Sequence, residues 1–261
     1  MKNLVIGNTS QQSHYYPKDY KQISSRNVDL SYIRSKWDSV YITFAEQRVR
    51  DNTVNFIDVN FHYTKKIIDV LVENCNRIIF FATCDLWNNC DGQIDINTKF
   101  NFSSNNEYIK SKLLMINYIN ESRKKDKRYN KINIIYPFYF NSVYRSDYFL
   151  FGKIFNSIIN KKKINIGNIN LNRDMVHASY MVKKVIESSE DVMIGSGVLF
   201  NINKYIHDLY EYFGLDFDCY VTCDNKFTIE KKSFYSKQHN LYSYEMLLSD
   251  TIKDIELHVK A

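Results

Sequence analysis

Glycine and proline are scarce in this chain, at seven and two among 261 residues. So little of either excludes a collagen-like segment, a Pro-rich tail and long Gly-rich linkers. The five cysteines, Cys75, Cys84, Cys90, Cys219 and Cys223, are odd in number and form no disulfide framework. Cys219 and Cys223 lie close in sequence, but no second pair or His cluster completes a zinc site, so no metal is expected. Free thiols in a reducing compartment is the reading that remains. Long apolar runs are also missing: nothing approaches the ~20 residues needed to cross a bilayer. The N-terminal Leu4-Val5-Ile6 run, stopped by Gly7, is too short for a signal peptide. A cytoplasmic protein without a membrane partner is the expectation.

Apolar residues make up 44% of the chain and charged residues 25%, ordinary values for a globular protein with a buried core. The net charge of +6 could serve nucleic acid or a diphosphate ligand. Its basic runs are short: Arg123-Lys124-Lys125 with Lys127-Arg128, Lys161-Lys162-Lys163, and Lys231-Lys232. They read as solvated loops and helix ends. With no arm, finger or RNA-binding aromatic signature beside them, nucleic acid is not expected as a partner.

Short strand-like segments punctuate the first half: Leu4–Ile6, Ile23–Ser25, Val40–Phe44, Ile78–Phe81 and Ile132–Tyr136, most of them apolar and the last stopped by Pro137. Helical spacing lies between them. Asp29 and Ser31 can cap a helix over Tyr32–Trp37. Apolar positions Val59, Ile67, Val70 and Leu71 mark a second, and Glu107–Ile119 a third. Apolar strands separated by helices predict an α/β fold, a Rossmann-type doubly wound parallel sheet covered on both faces. Its ligand site belongs at the C-terminal strand ends, near Gly7, Phe44, Phe81 and Tyr136. Beyond about residue 140 the periodicity weakens. Tyr148–Ile159, Val182–Glu187 and Ile202–Phe213 read as helices, with a tight turn at Gly195 and Gly197. The expected domains are therefore 1–142, binding a dinucleotide, and 143–261, a smaller irregular α/β lobe binding substrate.

Tyr108 and Lys112, four apart at a helix start, share one face. A lysine beside a phenol stabilises phenolate, and a Tyr so tuned can exchange a proton with a hydroxyl or ketone near neutral pH. Tyr-x-x-x-Lys alone is weak evidence in a chain rich in both residues. Context strengthens it: strand Ile78–Phe81 ends at Thr83, whose hydroxyl could face the same ligand. A strand–Gly-turn–helix also opens the chain, where a pyrophosphate would rest on Gly7, Thr9, Ser10, Gln11 and Gln12.

These landmarks together resemble the extended short-chain dehydrogenase/reductase family, which acts largely on nucleotide-linked sugars. Ile78–Asn88 is similar to that family's strand and Ser/Thr turn. Asn106–Lys112 resembles its Tyr-x-x-Ser-Lys helix, with Ser111 also matching. Phe44-Ala45 looks like the family's Leu-Ala-Ala, Asn60 matches the Asn of the next helix, and Tyr136-Pro137-Phe138 resembles Arg-Pro-Phe. Arg173-Asp174-Met175-Val176-His177 resembles Arg-Asp-Phe-Val-His, followed by a glycine turn at Gly195-Ser196-Gly197. The resemblance implies hydride transfer with a nicotinamide cofactor touching Phe44, Ala45, Asn60, Lys112 and Pro137. Thr83 would bond the reacting sugar oxygen, Tyr108 would be acid or base, and Lys112 would hold the ribose. Arg173 would contact the substrate diphosphate, with Tyr139 and His177 nearby. A homodimer through the Tyr-bearing helix and its neighbour, common in that family, is open to this chain. The departure is in the glycine turn: of Gly-x-x-Gly-x-x-Gly only Gly7 remains, with Ser10 and Ser13 at the other positions.

NAD-selective sites usually place a carboxylate after the second strand. Here Ser24-Ser25-Arg26 stands there, a set that suits a 2′-phosphate, so NADP is expected and NAD is the alternative. Dehydratases of the resembled family carry an acidic pair after the Thr; Cys84-Asp85 supplies one acid, which makes dehydration the weaker reading. A 4-keto-sugar reductase serving surface-polysaccharide synthesis is the expected activity, with Asp85 orienting the sugar or acting as a second acid/base. A nucleotide-sugar epimerase, or a non-catalytic dinucleotide-binding relative, are the alternatives.

Overall fold

The computed structural model describes residues 2–49, 51, 53–224, 232–238 and 241–260; Lys231 of the third basic run lies outside them. The chain divides into two compact units. The first comprises Met1–Leu86, Lys99–Pro137 and Val185–Val192, and the second Trp87–Thr98, Phe138–Lys184 and Met193–Ala261.

The first unit is built on strands β1 (Asn3–Ile6), β2 (Lys21–Ile23), β3 (Trp37–Ile42) and β4 (Cys75–Phe81). With the strands Ile132–Pro137 and Val192–Ile194 they make a six-stranded sheet. Its order is Val192–Ile194, Ile132–Pro137, β4, β3, β1, β2. Val5 stands opposite Gln22 on one side and Tyr41 on the other, and Ile79 opposite Tyr41 and Asn133, all in parallel register. Leu4, Val5, Ile6, Ile78, Ile79, Ile134 and Ile135 are wholly buried, as strands covered on both faces must be. The direction of winding reverses between β1 and β3. The C-terminal ends there carry Gly7 and Thr43–Phe44, and an open α/β sheet binds its ligand at such a reversal.

Several element limits differ from the sequence reading, each for a local reason. β2 stops at Ile23, short of Ser25. The amides of Gly7 and Asn8 both donate to the Ile23 carbonyl, and the Ser25 carbonyl is taken by the Tyr63 hydroxyl. Helix α1 (Leu30–Ile33), capped by Asp29, ends well before Trp37, because Trp37 is buried in β3 opposite Cys75. The helix expected from Val59 opens with a π-helical turn, Asp58–Tyr63, before α2 (Thr64–Asn74). In α2 Thr64, Ile67, Ile68, Leu71 and Val72 are buried, the stripe a core-facing helix requires. After β1 comes only a 3-10 turn, Gln11–Tyr15, which Pro17 keeps from growing. The rings of Tyr16, Tyr20 and Tyr41 pack together beyond it.

Helix α3 (Glu107–Lys125) is the longest in the first unit. Asn106 caps it, its side chain accepting from the amides of Tyr108 and Ile109, and Arg123, Lys124 and Lys125 occupy the last turn, where the helix dipole favours cations. The segment Val185–Val192 is tied in by side chains. Arg77 donates to the carbonyls of Val185 and Ile186 and to Ser188, and Arg123 pairs with Asp191, which also accepts from the Ile134 amide.

Among the described residues the second unit holds four two-stranded ladders. They pair Tyr139–Asn141 with Met175–His177, Asn172–Arg173 with Phe200–Asn201, Ile164–Gly167 with Val221–Asp224, and Gly92–Ile94 with Phe234–Ser236. Helices Leu150–Asn160, Ile202–Tyr212 and Tyr244–Lys260 surround them, burying Ile154, Tyr205, Leu209, Leu247 and Ile255. At the centre Asp174, fully buried, accepts from the amides of Ser196, Gly197 and Ser236 and from the hydroxyls of Ser196 and Ser236. Burial pushes its carboxyl above the ordinary carboxylate range, against the opposing pull of those hydrogen bonds. A Cβ on Gly195 would collide with Ser236 Oγ and stand 2.6 Å from Asp174 Oδ2, so a side chain there would displace this network.

Candidate active site

In the first unit the structure brings Thr83, Asp85, Tyr108 and Lys112 to the end of β4 and the start of α3. Thr83 follows β4, and its Oγ1 accepts from the Asp85 amide at 3.2 Å and lies 3.5 Å from Asp85 Oδ2. Thr83 is buried, while Asp85 is half-buried in the 3-10 turn Cys84–Trp87. Tyr108, in the first turn of α3, packs edge-on against the Phe56 ring at 6.2 Å.

Lys112 lies one turn further on. It is only 3% exposed, and Nζ donates to the Phe81 carbonyl at 2.7 Å. Nζ stands 5.0 Å from the Phe80 ring centroid and 5.9 Å from that of Tyr108. Burial disfavours the ammonium and brings its pKa down to about 7. A lysine poised near neutrality beside a phenol is a proton-handling arrangement.

Asn60, on the π-turn, is buried with its amide fully engaged. Oδ1 accepts from the Glu46 amide at 2.8 Å; Nδ2 donates to the Glu46 carbonyl at 3.0 Å and to Ser111 Oγ at 3.1 Å. Ser111 Oγ in turn donates to the Tyr108 carbonyl at 2.7 Å. Both N–H groups are spent, so Asn60 acts here as a tie between the Phe44–Glu46 segment and the catalytic-helix candidate. Sequence reasoning gave Asn60 a cofactor contact and left Ser111 without a role. Their pairing across 51 positions leaves no trace in local pattern. The Phe81 contribution was likewise hidden, because it is a backbone carbonyl.

The turn after β1 is closely packed. Gly7 has φ +116° and a Cβ there would stand 2.7 Å from Thr43 Oγ1, so glycine is required. Ser10, which stands where the resembled turn has its second glycine, has φ −74°, which any residue adopts. Ser13 points inward: its hydroxyl donates to the carbonyls of Gly7, at 2.9 Å, and Ser10. Thr9 is exposed, Ser10 half-buried, and Gln11 and Gln12 are buried. Gln12 Nε2 donates to the Thr43 carbonyl, while its Oε1 is buried without a hydrogen-bond partner among the described residues.

After β2, Arg26 is exposed. Its amide donates to Ser24 Oγ at 3.1 Å, and its guanidinium makes no hydrogen bond or ion pair among the described residues. Asp29, the nearby acid, is occupied by the amide and hydroxyl of Ser31, which hold its carboxyl below the usual range. A glycine turn and an uncommitted guanidinium with Ser24 beside it suit a dinucleotide phosphate chemically, while Lys112 can donate to a ribose hydroxyl. Phe44 and Ala45 are half-buried after β3, and Pro137 is buried at its strand end.

Tyr139, Arg173 and His177 belong to the second unit. Arg173 stacks over the Tyr139 ring at 5.4 Å, so these two are brought together. His177 is buried, with Nδ1 2.8 Å from Ser179 Oγ and Nε2 3.2 Å from Asp254 Oδ2, a packing geometry that ties in the C-terminal helix.

The sequence profile of the NAD dependent epimerase/dehydratase family matches residues 21–201. The chain belongs to this family. Comparison with curated protein sequences finds no significant match. Among solved structures, MoeE5 in complex with UDP-glucose and NAD superposes with a TM-score of 0.80 at 12% identity, covering 99% of this chain and 100% of that one. The dTDP-glucose 4,6-dehydratase DesIV from Streptomyces venezuelae, with NAD bound, gives 0.79 at 13% identity over 98% and 97%. RMD from Pseudomonas aeruginosa complexed with NADPH gives 0.77 at 12% identity over 98% and 100%. At such identities the likeness is one of fold. Among the described residues no helix is long and apolar enough to cross a membrane, and no His, Cys, Asp and Glu cluster could hold a metal ion.

Proposed function

We propose that this member of the epimerase/dehydratase family is an NADPH-dependent reductase of a nucleotide-linked 4-keto sugar, with a product used in surface-polysaccharide synthesis. The observation that carries the cofactor choice, and with it the reaction, is Arg26: exposed, uncommitted, and not neutralised by Asp29. A free guanidinium after β2 with Ser24 beside it favours a 2′-phosphate over a bare ribose hydroxyl. A cofactor that gives up its hydride once and leaves is the reductase pattern. NAD in MoeE5 and DesIV and NADPH in RMD support a nicotinamide dinucleotide in this fold without fixing which.

Gly7, Thr9, Ser10, Gln11 and Gln12 would hold the pyrophosphate, Ser24, Ser25 and Arg26 the adenosine ribose, and Phe44, Ala45, Pro137 and Lys112 the rest of the cofactor. When bound, the nicotinamide supplies hydride to the ketone carbon. Thr83 donates a hydrogen bond to the ketone oxygen and orients it. Tyr108 delivers its phenolic proton to that oxygen as charge develops, so the product is an alcohol and Tyr108 is left as phenolate. Lys112, when protonated, stabilises that phenolate through its charge. Asp85, next to Thr83, orients the sugar or supplies a second proton-transfer group. Arg173 and Tyr139 would bind the substrate diphosphate.

The test is fluorescence titration of the purified protein with NADPH and NADH, after identifying any nucleotide released on denaturation, followed by turnover of a UDP- or dTDP-linked 4-keto sugar. Reversible NADPH binding with ketone reduction is the expected result. Tightly held NAD released on denaturation would point instead to C4 epimerisation. Binding of neither nucleotide would overturn both.

A further inference from the structure

The loop that presents Arg26 is fastened by one phenol. The Tyr63 hydroxyl, on the last residue of the π-turn, accepts from the Val28 amide at 2.9 Å and donates to the Ser25 carbonyl at 2.9 Å. These bonds bracket Arg26 on both sides. Within the bracket, the Arg26 amide donates back to Ser24 Oγ, just outside it, and Asn27 takes a left-handed φ of +54°. The Tyr63 ring lies 5.7 Å from that of Phe44, after β3. Tyr63 therefore ties the segment after β2 to the segment after β3, the two that flank the adenosine end of a dinucleotide in a doubly wound sheet.

We propose that Tyr63 is a positioning residue for cofactor selectivity: its hydroxyl fixes the Ser24–Val28 loop so that Arg26 meets the 2′-phosphate of NADPH. The inference rests on the NADPH reading above. The Arg26 guanidinium has no partner of its own among the described residues, so its placement follows from its backbone. Without the two phenol bonds the loop regains conformers, and binding must then meet the entropy of ordering it. That penalty falls on the contact Arg26 makes, the 2′-phosphate, and lightly on the pyrophosphate and nicotinamide, which other segments hold. Tyr63 is half-buried at the end of the π-turn, and no pattern in the sequence singles it out.

The experiment is titration of NADPH and NADH, by nicotinamide fluorescence, into the full-length wild type, Tyr63→Phe, Arg26→Ala and the double variant. Circular dichroism and thermal melts check each fold. Tyr63→Phe keeps the ring and its contact with Phe44 and removes only the hydroxyl. The NADPH-over-NADH affinity ratio should fall about three- to tenfold in Tyr63→Phe, the range one or two hydrogen bonds command. On the Arg26→Ala background, Tyr63→Phe should change the ratio no further, since the phenol acts through Arg26. An equal loss of affinity for both nucleotides, or an unchanged ratio in a wild type that prefers NADPH, overturns the role of Tyr63 and leaves the NADPH reading standing. A wild type that prefers NADH, or binds neither, overturns both.

Discussion

The Lys112 ammonium donates to the Phe81 carbonyl at 2.7 Å, so a buried cation joins the end of β4 to the first turns of α3. The arrangement fixes the Lys at the site and denies it water.

Its protonation should therefore register in stability. Burial lowers the folded-state pKa to about 7, below the value of about 10.4 for an unfolded lysine. Between these two values the unfolded chain binds the extra proton, so Lys112 destabilises the fold most below pH 7, and the penalty shrinks as pH rises toward 10. Lys112→Met should gain stability over wild type at pH 6, and the gain should diminish by up to about 1.4 kcal/mol for each pH step above 7. Urea melts of both proteins from pH 6 to pH 9 measure this. A difference that does not vary with pH would contradict the buried, proton-shedding lysine.

Tyr108→Phe removes the proton donor and leaves the ring against Phe56. Turnover should fall by about 100-fold or more, with NADPH affinity within twofold of wild type. Full activity in this variant rules out the acid role.

Gly7→Ala should cost about 2 kcal/mol or more, because it combines a positive φ with a Cβ 2.7 Å from Thr43 Oγ1. Chemical denaturation gives the number directly, and a neutral result would mean that the turn relaxes freely.

Asp174→Ala strips the acceptor from three amides and two hydroxyls in the centre of the second unit. A loss of several kcal/mol is expected, since each buried donor left unsatisfied costs about 1–3 kcal/mol. Near-wild-type stability would show that Ser196 and Ser236 find other acceptors.

The strands of the parallel sheet and α3 were legible because Leu4–Ile6 and Ile78–Phe81 are wholly apolar and Ile132–Ile135 is apolar but for Asn133, and Asn106 opens its helix with a capping side chain. The limits near Ser25 and Trp37 were not, since they depend on the Tyr63 hydroxyl and on the burial of Trp37 in β3. In the candidate site, Tyr108, Lys112 and Thr83 were readable as spacing and as a strand tip. The Asn60–Ser111 bond and the Tyr63 bracket join residues 35 or more positions apart, which periodicity cannot reveal. In the Arg173–His177 segment the sequence did not separate the residues' surroundings: Arg173 sits over Tyr139, while His177 is turned toward Ser179 and Asp254.

The tie between the sheet and the Val185–Val192 segment bears on synthesis. Arg77, Arg123 and Ile134 wait for partners at Val185, Ile186, Ser188 and Asp191. A nascent chain that has emerged only as far as Pro137 holds five of the six strands yet lacks these bonds. Because domains fold as units during translation, the first unit should reach its native stability only after most of the polypeptide has left the ribosome. Truncations ending between Pro137 and Asp191 should then be the ones most readily captured by chaperones.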